Sequence, residues 1–390
     1  MQVKKGNSYT KLIFKNVFIL SFSLIAFSCN QQKDVWRGTI KYKDGIKHIQ
    51  NKTPSWGEKP QIKLEFVQKL GELESDDGSY LFNKPWDVAE DSEGNIYIVD
   101  LGDSCIKKFS PTSIHLLTFG RQGQGPGELG QCRHIEIDKN DTIYIKDYMF
   151  DRIQVFNADG EFKKTIPNLK FGKSRIFDSN KLLVWGYNYN LAKQKATTMV
   201  IKSFNDEILT EFSKAETYTL ADKEMEMYVS VGGNSLEFTT DEEDNIYLAY
   251  RSQNRIEKFD KNSRLLFKAN RVLGFKTGYE MKTEFGDIAR TIKVTIPKFK
   301  KVSIAIQIDH KNRIWILAHK SHADDPDQAE AVDLFELEIY SNDGILLGRL
   351  PYPVEWEAGW TALMKIFGNR VYFINSMTSP EIYQYQIIDL

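Results

Sequence analysis

The sequence predicts an all-β protein, a six-bladed β-propeller of four-stranded antiparallel blades, and three observations favour this fold class. Residues 87–100 and 134–147 repeat one pattern of apolar run, turn and apolar run, and Ile143 lies 47 residues after Ile96. The apolar runs are about six residues long, are rich in Ile, Val and Tyr, and end at Asp, Asn or Gly, as strands do. Repeats of this length that consist of short strands usually form small sheets arranged in a closed propeller.

Each unit is expected to contribute four strands to one blade. In the first unit the third and fourth strands are predicted at residues 104–109 and 114–119, and in the second unit at 151–156 and 161–166. A single four-stranded sheet cannot bury both of its faces, so further blades must stack against it.

Six such units are found along the chain, and their second strands begin near Ile96, Ile143, Leu183, Ile246, Ile314 and Val371. The third unit is degenerate, so five or seven blades remain the alternatives. The sixth unit has only three strands before the chain ends. Residues 61–71 alternate apolar and polar side chains, and we expect them to supply the missing strand and close the ring.

The N-terminal residues have the features of an export signal. Four lysines precede an apolar run at residues 17–27, which is too short to span a bilayer. Ser28 directly before Cys29 is similar to a bacterial lipobox, which predicts a signal peptide at 1–28 and lipidation of Cys29. A plain secretory signal cleaved near Ser28 is the alternative. The expected location is the cell envelope, anchored by lipid to the outer membrane, with the side of that membrane left open.

The predicted organisation therefore has three parts: the signal peptide at 1–28, a lipid-anchored tether with a small hairpin at 29–59, and the propeller at 60–390. The hairpin is indicated by Asp44-Gly45 between two alternating runs. The charge, 52 Lys and Arg against 53 Asp and Glu, gives no support to nucleic-acid binding. The chain has only three cysteines, which excludes a disulfide framework. A single bridge between Cys105 and Cys132 and two buried thiols both remain open.

Several of these segments also carry a family resemblance. Residues 94–100, residues 151–156 and the glycine-rich link at 119–129 resemble NHL-type repeats. The whole chain resembles the six-bladed propeller lipoproteins of the Bacteroidetes, in which a lipobox, a hairpin, a closing strand and a Gly-Pro-Gly-Glu link follow one another in this order. The resemblance implies the fold and the lipid anchor. It implies little about activity, because NHL-like relatives include binding scaffolds as well as metal-dependent lyases and lactonase-like hydrolases.

The first strand of each blade is expected to line the central channel, with Asp87, His134, Arg175 and Glu237 at its upper end. Asp87, His134 and Glu237 are candidate ligands of a divalent metal such as Ca or Zn, and Arg175 is a candidate contact for an anionic substrate. The lyase relatives use several channel histidines, whereas this chain offers only His134 there. A hydrogen-bonded channel histidine is therefore the alternative interpretation.

Two insertions are expected to stand on the loop face of the propeller. Residues 279–290 are predicted to form a short helix between the fourth and fifth blades. Residues 318–332 contain His319 and His322 followed by three aspartates, which is a second candidate site for Zn or Ca. The alternative is a solvated loop, because the spacing matches no rigid metal motif.

Tyrosines at or beside the loops that join second to third strands are candidates for binding a glycan or a peptide, because an aromatic ring stacks on a sugar face. These tyrosines are Tyr148, Tyr187, Tyr189 and Tyr250. The preferred hypothesis is a propeller that binds a glycan, a peptide or an envelope protein through its loop face and contacts the membrane through its lipid only. The alternatives are a metal-dependent lyase or hydrolase at the top of the channel, and a structural subunit of an envelope complex.

Overall fold

The computed structural model describes residues 36–72, 74–167, 173–178, 180–190, 195–285, 293–322, 331–355, 363–376 and 380–390. Three strands precede the first blade: β1 (Arg37–Lys43), β2 (Ile46–Thr53) and β3 (Ile62–Leu70). The described helices are short, and none of them is long and apolar enough to cross a membrane.

The rest of the chain, together with β3, forms six blades of four antiparallel strands each, as the sequence predicted. Blade one contains β4 (Pro85–Glu90), β5 (Ile96–Asp100), β6 (Cys105–Phe109) and β7 (His115–Phe119). Blade two contains β8 (Cys132–Ile137), β9 (Ile143–Asp147), β10 (Arg152–Phe156) and β11 (Phe162–Ile166). Blade three contains β12 (Ser174–Phe177), β13 (Lys181–Asn190), β14 (Lys195–Ser203) and β15 (Ile208–Lys214), and helix α1 (Lys223–Gly233) follows it.

Blade four contains β16 (Leu236–Thr240), β17 (Ile246–Tyr250), β18 (Ile256–Phe259) and β19 (Leu265–Arg271). The hairpin of β20 (Tyr279–Phe285) and β21 (Lys293–Phe299) separates it from the next blade. Blade five contains β22 (Ser303–Ile308), β23 (Ile314–His319), helix α2 (Ala331–Leu334), β24 (Phe335–Tyr340) and β25 (Leu346–Pro351). Blade six contains β26 (Leu363–Phe367), β27 (Arg370–Asn375) and β28 (Glu381–Asp389).

The turn between the first two strands of a blade has the same local cause in several blades. In blade one, Asp91 Oδ1 accepts hydrogen bonds from the backbone N–H groups of Glu93 at 3.1 Å and Asn95 at 2.8 Å. An aspartate side chain that bonds the backbone two and four residues later fixes a tight turn without help from the rest of the protein. Asp138, Asp241 and Asp309 make the same pair of bonds in blades two, four and five.

The ring is closed by the N-terminal strand β3, which confirms the prediction. It pairs antiparallel with β28, with Leu70 opposite Ile382 and Ile62 opposite Asp389. Ile62 and Leu70 are both buried. The two ends of the propeller are thus joined in one sheet, in which β3 is the outer strand of blade six.

The predicted hairpin of β1 and β2 exists, and Asp44 and Gly45 turn it with φ angles of 52° and 77°. The structure adds that β2 pairs in parallel with β19, so that the hairpin extends blade four into a six-stranded sheet. Asn51 fixes this arrangement from a fully buried position. Its amide donates to the carbonyl oxygens of Asn270 and Gly344, both at 3.1 Å. The hairpin is therefore an integral part of the folded body.

The prediction of a helix at residues 279–290 is wrong. Residues 279–285 form β20, which pairs antiparallel with β21. The segment reads Tyr-Glu-Met-Lys-Thr-Glu-Phe. This alternation with a period of two is typical of a strand and outweighs the helix propensity of its glutamates and lysine. Helix α1, in contrast, was not predicted, although Asp222 caps it by accepting hydrogen bonds from the N–H groups of Glu224 and Met225.

Candidate functional site

The first strands of the blades surround the central channel. Strand β4 contacts β8 and β26, and β22 contacts β16 and β26. We call the end at which the first strands begin the upper mouth of the channel. The end at which they stop, beside the aspartate turns, is the lower mouth.

Asp87 and His134, which the sequence predicted at the upper mouth, are in direct contact. His134 Nδ1 lies 2.6 Å from Asp87 Oδ2, and the N–H of Ile135 donates to the same oxygen at 3.2 Å. Lys365 Nζ, from blade six, lies 2.8 Å from Asp87 Oδ1. Burial raises the pKa of Asp87, but the charges of Lys365 and His134 outweigh it and hold this pKa well below its ordinary value. Asp87 is thus an ionised carboxylate that links three blades.

The second ring nitrogen of His134 is also engaged. His134 Nε2 lies 2.8 Å from Glu136 Oε1, and the N–H of Ile176 donates to Glu136 Oε2 at 2.8 Å. Because both nitrogens face carboxylates, neither is left to coordinate a metal ion. This arrangement does not fit the metal ligand that the sequence suggested. Among the described residues, no group of three or more His, Cys, Asp or Glu side chains is placed to hold a metal ion.

Glu237 belongs to a second cluster at the upper mouth. Its carboxylate contacts Lys173 Nζ, and Arg251 Nη1 lies 3.6 Å from Glu237 Oε1. Burial, followed by repulsion from Lys365 and Arg251, lowers the pKa of Lys173 to about 7. The Lys173 side chain still has 37% of its surface exposed to solvent. Part of the Lys173 side chain is therefore accessible from the mouth.

Arg175 interacts electrostatically with both clusters. After burial, which raises the pKa of Glu136, the charge of Arg175 is the strongest influence on it, and the net effect is a lowered pKa. Arg175 Nε is buried and has no hydrogen-bond partner among the described residues. Arg175 also adds to the repulsion that lowers the pKa of Lys173. The predicted role of Arg175 as a contact for an anion is compatible with this position.

Cations outnumber carboxylates among the described side chains that belong to the two clusters or interact with them. The cations are Lys146, Lys173, Arg175, Arg251, Lys298, Lys301 and Lys365, and the carboxylates are Asp87, Glu136, Asp151 and Glu237. Lys146 is buried, and burial lowers its pKa to about 8 although the charge of Glu136 opposes the shift. The upper mouth is consequently positive over a region walled by several blades.

Aromatic rings stand beside these charges. The ring of Trp86 has Lys84 Nζ at 5.3 Å and Arg133 Cζ at 5.1 Å from its centre. The ring of Tyr148 has Lys146 Nζ at 4.6 Å. Burial and, after it, the charge of Asp87 raise the pKa of Tyr148 to about 12. Tyr148 is therefore placed at the upper mouth, where the sequence analysis expected a binding tyrosine.

The other predicted tyrosines do not form one surface with Tyr148. Tyr250 is fully buried, and its hydroxyl lies 2.6 Å from Ser213 Oγ. This removes Tyr250 from the predicted loop-face surface, because strand β17 turns it into the core. Tyr187 and Tyr189 lie within strand β13 rather than in a loop, and their side chains are outside the described part of the chain.

His319 and His322 form a packed pair. Their rings are stacked with centres 4.8 Å apart, and Phe335 and Phe275 contact the rings of His319 and His322. Burial, followed by the neighbouring His322, lowers the pKa of His319 to about 3, so the ring is neutral. Within the part of the chain that the structure describes, His319 Nδ1 and His322 Nε2 make no hydrogen bond. The aspartates predicted to complete a metal site, Asp324, Asp325 and Asp327, lie outside the described residues, as does the predicted lipid-bearing Cys29.

The lower mouth carries mainly negative charge. It opens into a cavity of about 520 Å³ that extends up to Glu136 and Arg175, and its lining includes Asp138, Asp178, Asp241, Asp244 and Asp309. Burial, then the charges of Asp178 and Asp241, raise the pKa of Asp244. Several of these aspartates also fix the turns described above. The channel is therefore positive at the upper mouth and acidic at the lower mouth.

The sequence analysis missed four members of the upper clusters: Glu136, Lys173, Arg251 and Lys365. Glu136 could have been predicted from the sequence, because it lies two residues after His134 on the same strand and therefore on the same face. Lys365 lies on the first strand of blade six, but it meets Asp87 only because the ring closes. Lys173 and Arg251 lie just outside strands, where no periodicity marks them.

The comparisons with known proteins agree with the fold. A family model, DUF5128, described as a 6-bladed beta-propeller, matches residues 79–265. A member of the DUF4221 family from Bacteroides vulgatus superposes with a TM-score of 0.56 at 11% identity, over 85% of this chain and 99% of its own. A protein from Bacteroides fragilis that is thought to be exported superposes with a TM-score of 0.54 at 12% identity, over 88% and 99%. These similarities show a six-bladed β-propeller and nothing finer.

A third structure, a virginiamycin B lyase from Staphylococcus aureus, has a TM-score of 0.45 at 13% identity, over 84% of this chain and 100% of its own. A similarity at that level carries no argument about activity. No curated protein matches the sequence.

Proposed function

We propose that this protein is a ligand-binding propeller that captures an anionic group at the upper mouth of its channel. The observation that carries the proposal is the sharing of one carboxylate, Glu237, by Lys173 and Arg251, with Lys365 and Arg175 close enough to repel Lys173. Like charges held together in a partly desolvated place are stabilised by an anion that binds between them.

The preferred ligand is an acidic glycan. A carboxylate on a sugar suits the cations, and the rings of Trp86 and Tyr148 at the same mouth offer apolar faces to the sugar. An acidic peptide or an acidic envelope protein would use the same charges without requiring the rings. These partners are alternatives that the experiment below separates.

A binding role is favoured over a metal-dependent lyase or hydrolase by the engagement of His134. Its two nitrogens contact Asp87 and Glu136, and the third predicted donor, Glu237, is held by Lys173 and Arg251. A metal would have to displace several ion pairs before it found three donors. An anion would compete only with Glu237 for Lys173 and Arg251, whose side chains are 37% and 38% exposed.

The proposal includes the lipid anchor at Cys29 and a position in the cell envelope. It is supported by the apolar run before Ser28-Cys29. Mass spectrometry of the protein purified from a membrane fraction tests this part. A diacylglyceryl-modified N-terminal Cys29 is expected, and an unmodified N-terminus near residue 29 would contradict the anchor while leaving the binding site unaffected.

The binding proposal is tested by calorimetry with trigalacturonic acid, beside neutral maltotriose and an acidic peptide of equal charge. We expect binding of the acidic trisaccharide only, and a loss of about tenfold or more in Arg251→Gln, since a charge-assisted contact contributes about 1.5–3 kcal/mol. Lys139→Gln is the matched control, because it removes a cation from the lower mouth. Equal affinity in the two variants, or binding of the neutral sugar alone, would disprove the proposal. If the peptide binds as tightly as the sugar, the anion-binding site is supported and the preference for a glycan is contradicted.

A further inference from the structure

A second cavity, of about 740 Å³, lies away from the channel where the N-terminal hairpin joins blade four. Its floor follows from the register of three strands. Lys41 on β1 lies opposite His48 on β2, which lies opposite Lys268 on β19. Thr39, Gln50 and Asn270 form a second row beside the first. Side chains alternate along a strand, so these two rows share one face and form a continuous polar floor.

The opposite face of β2 and β19 is apolar and packs inward. Ile49, Phe267 and Ala269 are buried in one hydrophobic cluster. This burial fixes which face points outward, because a shift of one residue would turn the apolar set to solvent. The polar floor is therefore set by the core beneath it.

The walls come from segments that are additional to the repeats. Tyr218, from the segment between blades three and four, contacts Tyr279 at the start of β20 with ring centres 6.2 Å apart. Tyr279 in turn packs on Phe299 at 5.3 Å. A Cβ on Gly233 of helix α1 would lie 2.5 Å from the Tyr218 hydroxyl, so the helix holds this ring closely. Three additions to the propeller, the hairpin β1–β2, the α1 segment and the hairpin β20–β21, thus converge on one cavity.

The charges of the lining are largely neutralised. Lys268 Nζ and Arg255 Nη2 lie 2.8 and 2.7 Å from the same oxygen of Glu257, which is fully buried. The remaining Lys41 and Glu216 have opposite signs. The other polar lining consists of hydroxyl and amide groups, at Thr39, Gln50, Ser252, Asn254, Asn270 and Thr277. With Glu257 included, three cations stand against two carboxylates, so the excess is a single positive charge.

From the polar floor, the tyrosine wall and the nearly balanced charge, we infer that this cavity binds a neutral oligosaccharide. Amides and hydroxyls can both donate to and accept from sugar hydroxyls, and the tyrosine rings can lie against the apolar face of a sugar. The volume lies within the range of about 300–1,000 Å³ that is usual for small-molecule sites. This site is separate from the upper mouth and does not depend on the function proposed there.

The inference is tested by probing the intact mature chain on an array of neutral gluco-, manno-, galacto- and xylo-oligosaccharides, followed by calorimetry with the hexasaccharide that binds. We expect at least one series to bind, and Gln50→Ala combined with Asn270→Ala to weaken binding about tenfold or more through the loss of hydrogen bonds. Both side chains are exposed, so the fold is expected to persist, and the melting temperature checks this.

Tyr42→Ala is the matched control. Tyr42 lies on the same hairpin, is 73% exposed, and alternates to the face opposite the floor. It is expected to bind as the unmodified chain does. An array without any bound neutral sugar, or equal weakening in the control and the double variant, would overturn the inference. The Arg251→Gln variant is expected to leave this binding unchanged, which separates the two sites.

Discussion

His134 and Asp87, on the first strands of neighbouring blades, approach to 2.6 Å between Nδ1 and Oδ2, while His134 Nε2 contacts Glu136 on its own strand. The pair connects blade two to blade one at the upper mouth, and the contact of Lys365 with Asp87 connects blade six as well. A histidine used in this way positions charges around the channel rather than holding a metal. The predictions below follow from this use and from the way in which the ring and its hairpin are held.

Asp87→Asn is expected to destabilise the protein by about 3 kcal/mol at pH 7, because it leaves Lys365 and His134 without their buried counter-charge. The folded-state pKa of Asp87 is depressed, so its stabilisation is complete above the ordinary aspartate value of about 3.9 and is lost as the pH falls below it. The free-energy difference between wild type and variant should therefore shrink between pH 5 and about pH 3. Urea unfolding across this range measures it. The exposed Glu65→Gln serves as control, and a difference that stays constant with pH would contradict the assignment.

Binding of trigalacturonic acid is expected to weaken as the pH rises from 6 to 8. Lys173, whose pKa is lowered to about 7, loses its positive charge over this range, while the sugar carboxylates stay ionised. Calorimetry at several pH values measures the effect. Lys173→Gln should bind more weakly at pH 6 and show a flatter pH profile, and an unchanged slope in this variant would assign the dependence to another group.

Asn51→Ala is expected to cost about 2 kcal/mol, since it leaves the buried carbonyls of Asn270 and Gly344 and the N–H of Leu346 without partners. The loss should be local at first. Hydrogen exchange in β1 and β2 is expected to quicken more than in the strands of blade one. Gln50→Ala, at the exposed neighbouring position, should leave exchange unchanged. Uniform quickening across all blades would show that the hairpin is not a separate unit of stability.

Ile62→Ala is expected to destabilise the propeller by about 3 kcal/mol, because Ile62 is 1% exposed and packs where the closing strand β3 meets blades five and six. The melting temperature should fall in one cooperative transition. Val67→Ala on the same strand, where the side chain is 46% exposed, should have little effect. Similar melting temperatures for the two variants would mean that β3 does not support the closed ring.

Cys105 and Cys132 are free and buried in the structure. Burial raises the pKa of Cys105 to about 12 and that of Cys132 further still. Because the thiolate is the reactive form, both thiols are expected to resist iodoacetamide at pH 8 in the folded protein and to react rapidly in guanidinium chloride. Peptide mass spectrometry follows the reaction. Detection of a bridge between them in the purified protein would be the contrary result.

The features that the sequence alone determined are those with local causes. An aspartate that bonds the backbone two and four residues later, as Asp91 and Asp241 do, sets a turn from its own neighbourhood, and the apolar runs beside it set the strands. The repetition of this unit predicted six blades and the closing strand. The hairpin at Asp44-Gly45 was predicted for the same reason.

Tertiary structure decided everything that joins distant parts of the chain. Lys365 meets Asp87 across 278 residues because the last blade packs on the first, and no local pattern records that contact. The parallel pairing of β2 with β19 depends on the fit of Ile49 into the core between blades four and five. Tyr250 lies in the core rather than on the loop face. Its burial depends on which elements pack against strand β17, and the alternation of residues along the strand does not show this. Local turn chemistry thus specified the blades, and ring closure determined which side chains meet at the channel mouths.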